Sequence, residues 1–135
     1  MPFVRTHVHH DTLQATRAAI VEGIHCALID SIGMPAAELF NLIADYQSDQ
    51  FFYDRGFNGI ARSERLVVVE ITLRRGRSDA MKRHLYAAIV HNLEQAAGIS
   101  PRDLFIFLHE NDYSDWSVGN GVCAMALVQQ VGSDG

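Results

Sequence analysis

Residues 66–108 read LVVVEITLRRGRSDAMKRHLYAAIVHNLEQAAGISPRDLFIFL, and this stretch decides the architecture. Leu66 to Leu73 is β-branched and almost continuously apolar, the pattern of a strand covered on both faces. Ser78 is a good helix N-cap, and Asp79 suits the positive end of a helix dipole. Met81, Leu85, Ala88, Ile89, Leu93 and Ala96 recur at helical spacing. Gly98 supplies the stop, and Pro101 precedes a second apolar run from Leu104 to Leu108. The unit is strand–helix–strand, so its two strands are parallel and connected right-handedly.

The first half of the chain follows the same order. Pro2 to Val8 reads as a strand, and Asp11 as an N-cap with Gln14 in capping-box position. Leu13, Ile20, Ile24, Ala27 and Leu28 form the apolar stripe, Gly33 ends the helix, and Leu39 to Ile43 is the second strand. Gly33 matches Gly98 and Leu39 matches Leu104, both at an offset of 65 residues. Two such units give an α+β fold, a tandem β-α-β repeat with a four-stranded sheet and two helices on one face. The expected organisation is one domain over 1–135, with repeats near 2–45 and 66–110 and an extension from 111 to 135. Residues 46–65, with Phe51, Phe52, Tyr53 and Phe57, read as a hairpin or long connection. A terminal strand or hairpin is expected within 122–128, and a frayed end after it. The strands are too apolar for the second sheet face to meet water, which predicts self-association.

Composition excludes several function classes. A chain of 135 residues buries a core without staples, and its net charge of −5 disfavours duplex nucleic acid as a partner. No apolar stretch is long enough for a membrane span and no secretion signal opens the chain, so the expected compartment is the cytoplasm. Cys26 and Cys123 fall in no metal or redox spacing and read as reduced, buried thiols. His7 and His9 share a strand face, but no third ligand follows at a recognised spacing, so no metal is expected. No phosphate-loop or dinucleotide pattern is present, and no cofactor is expected.

Several segments carry a resemblance that covers nearly the whole chain. They are Met1-Pro2, Asp30-Ser31-Ile32-Gly33-Met34-Pro35-Ala36, Arg75-Gly76-Arg77-Ser78, Gly98-Ile99-Ser100-Pro101-Arg102-Asp103, and Glu110-Asn111 leading to Asp115-Trp116-Ser117. Their order resembles the tautomerase superfamily, with the malonate semialdehyde decarboxylase group as the closer match. The resemblance implies catalysis by an N-terminal proline and assembly as a homotrimer. Two positions depart from it: Glu38 stands where the family has an Asp, and Val118 stands where it has an aromatic residue two past the Trp.

The residues themselves supply the chemistry. With Met1 removed, Pro2 presents a secondary amine; an α-amino group titrates near ~8, and burial beside cations lowers that value toward the operating pH. With Met1 retained, its nitrogen is an amide without useful basicity. Arg75 and Arg77, two residues apart in an extended segment, project to one side as a fork for a carboxylate, whereas Arg74 points away. The alternative for this group is a solvated basic turn. Glu38 orients water or balances the arginines, or is a surface carboxylate. Trp116, Phe40 and Val118 line the substrate site, with core or interface packing as the other reading for the aromatics. The leading expectation is an enzyme acting on a small anionic oxo acid, decarboxylating it as the resemblance implies. Keto–enol tautomerisation of the phenylenolpyruvate type and a hydratase or dehalogenase relative are enzymatic alternatives. A trimeric ligand-binding module is the non-enzymatic one.

Overall fold

The computed structural model describes residues 1–124. Strand β1 (Phe3–His9) leads into helix α1 (Gln14–Ile32) and strand β2 (Asn41–Tyr46). A connection with two 3-10 turns follows, and the order repeats as β3 (Val67–Arg74), α2 (Asp79–Ala97) and β4 (Leu104–Asn111). The sheet order is β2-β1-β3-β4: parallel within each repeat, antiparallel where β1 meets β3. The fold is the expected α+β tandem repeat. The terminal strand expected within 122–128 lies mostly outside the described residues; the part described is an antiparallel bridge between Ser117 and Cys123.

The helix ends follow local chemistry, with one exception. Ser78 Oγ accepts from the Met81 amide at 3.2 Å, and Gly33 and Gly98 close both helices at φ 69° and 66°. A side chain with a Cβ is strained in that left-handed region. Asp11 does not cap α1. The helix begins after Leu13, which offers no side-chain cap and is largely exposed. Asp11 instead pairs with Arg65, 54 residues away, and hydrogen-bonds His9. The bond from Arg65, then that from His9, holds its carboxyl at about 2. A guanidinium from the connection before β3 outcompetes the helix amides for this carboxylate. Strand β2 starts at Asn41, two residues later than the apolar run suggests, leaving Leu39 and Phe40 half exposed.

The core lies between the helices and one sheet face. Val4, Val8, Val69, Ile71 and Leu73 from the strands meet Ile20, Ile24, Leu28, Leu85, Ile89 and Leu93 from the helices, all buried. Each such side chain contributes about 1.5–3 kcal/mol through burial. Ala96, expected on the buried stripe, is exposed; Ala97 packs against the core instead. The helices pack closely at Gly23, where an added Cβ would lie 2.7 Å from Leu93 Cδ1. Beside it, Asn92 Nδ2 donates to the Gly23 carbonyl at 2.9 Å and ties α2 to α1. Truncation of the fully buried Ile89 to Ala is expected to cost about 2–5 kcal/mol, read as a lowered denaturant midpoint in equilibrium unfolding. An unchanged midpoint would place Ile89 outside the core.

The second sheet face is mixed rather than continuously apolar. Leu42 and Phe105 are exposed there, but a polar row crosses all four strands. Tyr46 OH bonds His7 Nδ1 at 2.7 Å, His7 Nε2 bonds Glu70, and His109 Nε2 bonds the other Glu70 oxygen at 3.1 Å. The bonds from His7 and then His109 hold the Glu70 carboxyl below its usual range. Strict alternation explains the mixture: outward positions of β1 and β3 carry Arg5, His7, Glu70 and Thr72, which the apolar inward positions mask in a composition count. Cys26 and Cys123 are free as expected but half-buried rather than buried.

Where β1 ends and β3 begins, Asp103 is buried and accepts from the Ser63 amide at 2.8 Å and the Ser63 hydroxyl at 2.6 Å. These bonds pin the connection before β3 to the turn before β4. An open depression of about 520 Å³ lies at this end, lined by His9, Asp11, Arg65, Val67, Arg102 and Asp103 among others.

Candidate active site

The antiparallel seam between β1 and β3 brings distant segments to the opposite end of the sheet. There β1 and β2 begin while β3 and β4 finish. The segments delivered are therefore Met1–Phe3, Glu38–Phe40, Arg74–Arg77 and Asn111–Trp116. Pro2 is buried at the start of the central strand β1. A cavity of about 450 Å³ opens beside it, lined by Met1, Pro2, Phe3, Glu38, Phe40, Trp116, Ser117 and Val118.

The walls are largely apolar and their orientations are held. The Phe3 and Phe40 rings stack with centroids 5.9 Å apart and an 18° interplanar angle. Trp116 Nε1 donates to Asn111 Oδ1 at 2.6 Å, which fixes the indole against the end of β4. Val118 stands on the rim, half exposed. Phe3 belongs to the cavity although its alternation marks it only as a strand residue. Its ring shares a parity with Arg5 and His7, and the stacking against Phe40 becomes visible only once β1 and β2 are in register.

Charge converges on the N-terminal amine. Met1 N lies 3.8 Å from Glu38 Oε2. The amine titrates below the ordinary α-amino range because burial disfavours its charged form; the Glu38 carboxylate opposes the shift, and the Arg77 and Arg74 charges add to it. A lowered pKa moves an amine toward the operating pH, where acid–base catalysis is most efficient.

The three arginines are arranged differently from the expected fork. Regular strand geometry stops at Arg74, and Gly76 has φ 122°, so residues 75 and 77 are not related by strand alternation. Arg75 is mostly exposed, with Nε 3.4 Å from Asp112 Oδ1. Arg77 is half-buried and donates from Nη1 to the Arg74 carbonyl at 2.9 Å. Burial, then the Arg74 charge, lowers its pKa. Arg74, expected to point away, has its guanidinium carbon 4.6 Å from the Tyr113 ring centre, and its charge acts on the N-terminal amine. The arginines grouped with the amine are thus Arg77 and Arg74, with Arg75 outside. The signal that identifies Arg74 is its position as the last residue of β3, opposite Asn111 in β4.

The β1 histidines lie elsewhere. His7 is engaged by Tyr46 and Glu70, and His9 by Asp11 and Ser48, on the outer sheet face. Among the described residues, no group of three or more His, Cys, Asp or Glu side chains is placed to hold a metal ion. No helix among them is long and apolar enough to cross a membrane.

Comparison with known proteins bears on the family and the fold. A family model described as "Tautomerase enzyme" matches residues 38–119. The probable tautomerase YusQ of Bacillus subtilis (strain 168) is 31% identical over 125 residues, which cover 93% of this chain and 98% of that protein. Among solved structures, FG41 malonate semialdehyde decarboxylase inhibited by 3-bromopropiolate superposes with a TM-score of 0.86 at 26% identity, covering 95% of this chain and 96% of the other. The fused 4-OT symmetric trimer shares the fold, with a TM-score of 0.77 at 24% identity over 93% of this chain and 98% of the other. A repeated β-α-β sheet that delivers an amine, a carboxylate and two guanidiniums to one end, in a chain with these relatives, is that of a member of the tautomerase family.

Proposed function

We propose that the chain, with Met1 removed, is a cofactor-free enzyme that acts on small oxo acids through the Pro2 amine. The observation that carries the reading is an apolar-walled cavity lined by Met1, Pro2 and Glu38, whose Met1 amine lies beside the Glu38 carboxylate and feels the Arg77 and Arg74 charges. An anionic carbonyl compound meets its requirements there: guanidinium for the carboxylate, the amine for the carbonyl, and Trp116 with the Phe3–Phe40 pair to exclude water. The first reading is decarboxylation of a β-oxo acid. Protonated Pro2 hydrogen-bonds the carbonyl oxygen, and Arg77 turns the carboxylate out of the carbonyl plane. The bond between the carboxylate carbon and its neighbour breaks, carbon dioxide leaves, and the electron pair passes into an enolate. Pro2 and the arginine charge stabilise the developing negative charge, and a proton delivered to the enolate carbon completes the product. Glu38 keeps the amine protonated. The working unit is a homo-oligomer, a trimer as in the fused 4-OT neighbours, acting in the cytoplasm.

The stacked Phe3–Phe40 wall favours a second reading, keto–enol tautomerisation of a larger enol acid. Neutral Pro2 then takes a proton from the enol hydroxyl and returns one to carbon. The two readings differ in the resting state of one nitrogen, so pH–rate profiles of the processed full chain separate them. Turnover of a β-oxo acid that falls as pH rises through the amine's pKa supports the decarboxylase. Ketonisation of phenylenolpyruvate that rises through the same pKa supports the tautomerase. Turnover of neither leaves a ligand-binding module.

A further inference from the structure

We propose that His25 is a positioning residue, holding the turn 35–38 so that the Glu38 carboxylate stays beside the N-terminal amine. The inference rests on the reading of the N-terminal amine as the reacting group, and extends it to a side chain on α1 that does not line the main cavity. His25 follows the buried Ile24 on α1 and directs Nε2 to the Ala36 carbonyl at 2.8 Å. A carbonyl only accepts, so Nε2 carries the proton. The bond therefore survives whether or not Nδ1 is also protonated. Ala36 sits in the middle of a turn closed by the Glu38 amide, which donates to the Pro35 carbonyl at 3.0 Å. The turn is otherwise attached through Gly33, the Met34 amide, which reaches the Leu28 carbonyl at 3.4 Å, and the Met34 side chain buried in the core. Ala36 and Ala37 are exposed and have no packing to orient them.

Little slack exists between these groups. The void shared by His25, Glu38 and Pro2 is about 10 Å³, room for one water at most. A displacement of the Ala36 carbonyl therefore reaches the Glu38 backbone two residues on. With Met1 in place, Glu38 raises the pKa of the Met1 amine against burial, Arg77 and Arg74. Pro2 lines the same void as Glu38, so the carboxylate acts in the same sense on the amine that removal of Met1 exposes. Moving its carboxylate away lowers that pKa further. The direction is the same for either reaction: the limb of the pH–rate profile that belongs to the amine moves to lower pH, whether activity follows the neutral or the protonated form.

The test uses the processed full chain carrying ¹⁵N-labelled proline. His25→Phe keeps an aromatic ring but no donor, and is expected to lower the amine's titration midpoint by about half a pH unit, a threefold change in acidity. The same limb of the kcat/KM profile is expected to move with it. His25→Gln, which restores an N–H donor, is expected to return the midpoint toward wild type. In a Glu38→Gln background His25→Phe is expected to add no further shift, because the charge it positions is gone. An unshifted midpoint in His25→Phe, or an equal shift in His25→Gln, would overturn the proposal. Failure of the functional reading looks different: Pro2→Ala then retains turnover, while the nitrogen titration still reports on His25.

Discussion

Pro2→Ala is expected to lower kcat/KM by a hundredfold or more, within the range of about 10²–10⁴ that a positioned acid or base contributes. The nitrogen of Pro2 is held within its own ring and by burial at the head of the central strand. Alanine leaves a primary amine that rotates freely, so both the direction of the lone pair and the desolvation that tunes it are lost. A protein from which Met1 has not been removed makes the sharper comparison. Its Pro2 nitrogen is an amide, and residual turnover is expected to match the background of the assay. Both proteins keep the buried strands, so their circular dichroism and unfolding midpoints serve as controls. Turnover within about threefold of wild type in either would remove the amine from the mechanism, a change too small to reflect a lost acid or base.

The second large effect is expected at Arg77. Arg77→Ala should reduce kcat/KM by about 10²–10³, the usual consequence of deleting one group that stabilises developing charge in a water-poor site. Arg75→Ala should cost less than about tenfold, because its side chain is exposed and its contact with Asp112 is long. The titration of the amine gives an independent reading. Arg77 lowers the pKa of the Met1 amine. Acting in the same sense on the adjoining Pro2 nitrogen once Met1 is removed, its deletion is expected to move the amine's limb of the pH–rate profile to higher pH. That direction is opposite to the shift expected for His25→Phe. Equal losses at positions 75 and 77 would restore the two-residue fork read from the sequence and require Arg75 to swing in with substrate.

That fork shows where sequence reasoning stops. The repeat was legible because its marks are local: the helix-ending Gly33 and Gly98, the Ser78 cap, and apolar runs 65 residues apart. The arginine geometry was not, because the alternation rule holds only inside a strand, and β3 ends at Arg74, before either arginine of the fork. Asp11 failed as a cap for a different reason. Its competitor, Arg65, is adjacent only after the two repeats pair. The polar row Tyr46–His7–Glu70–His109 is illegible in any one segment, since each strand contributes a single residue and only the four-strand register joins them. Pro2 and Glu38 were recognisable as residue types. That they meet at one end of the sheet is a consequence of topology, and His25 enters only through a carbonyl of the turn between them.

The antiparallel meeting of the two repeats also means that the molecule has two ends of the same ancestral shape. At the 65-residue offset, Val67 stands where Pro2 does and Asp103 where Glu38 does, and both border the depression at the far end of the sheet. A polypeptide owns a single free amino terminus, so the nitrogen proposed to react has no counterpart at the far end. The carboxylate there is mortar, buried against Ser63.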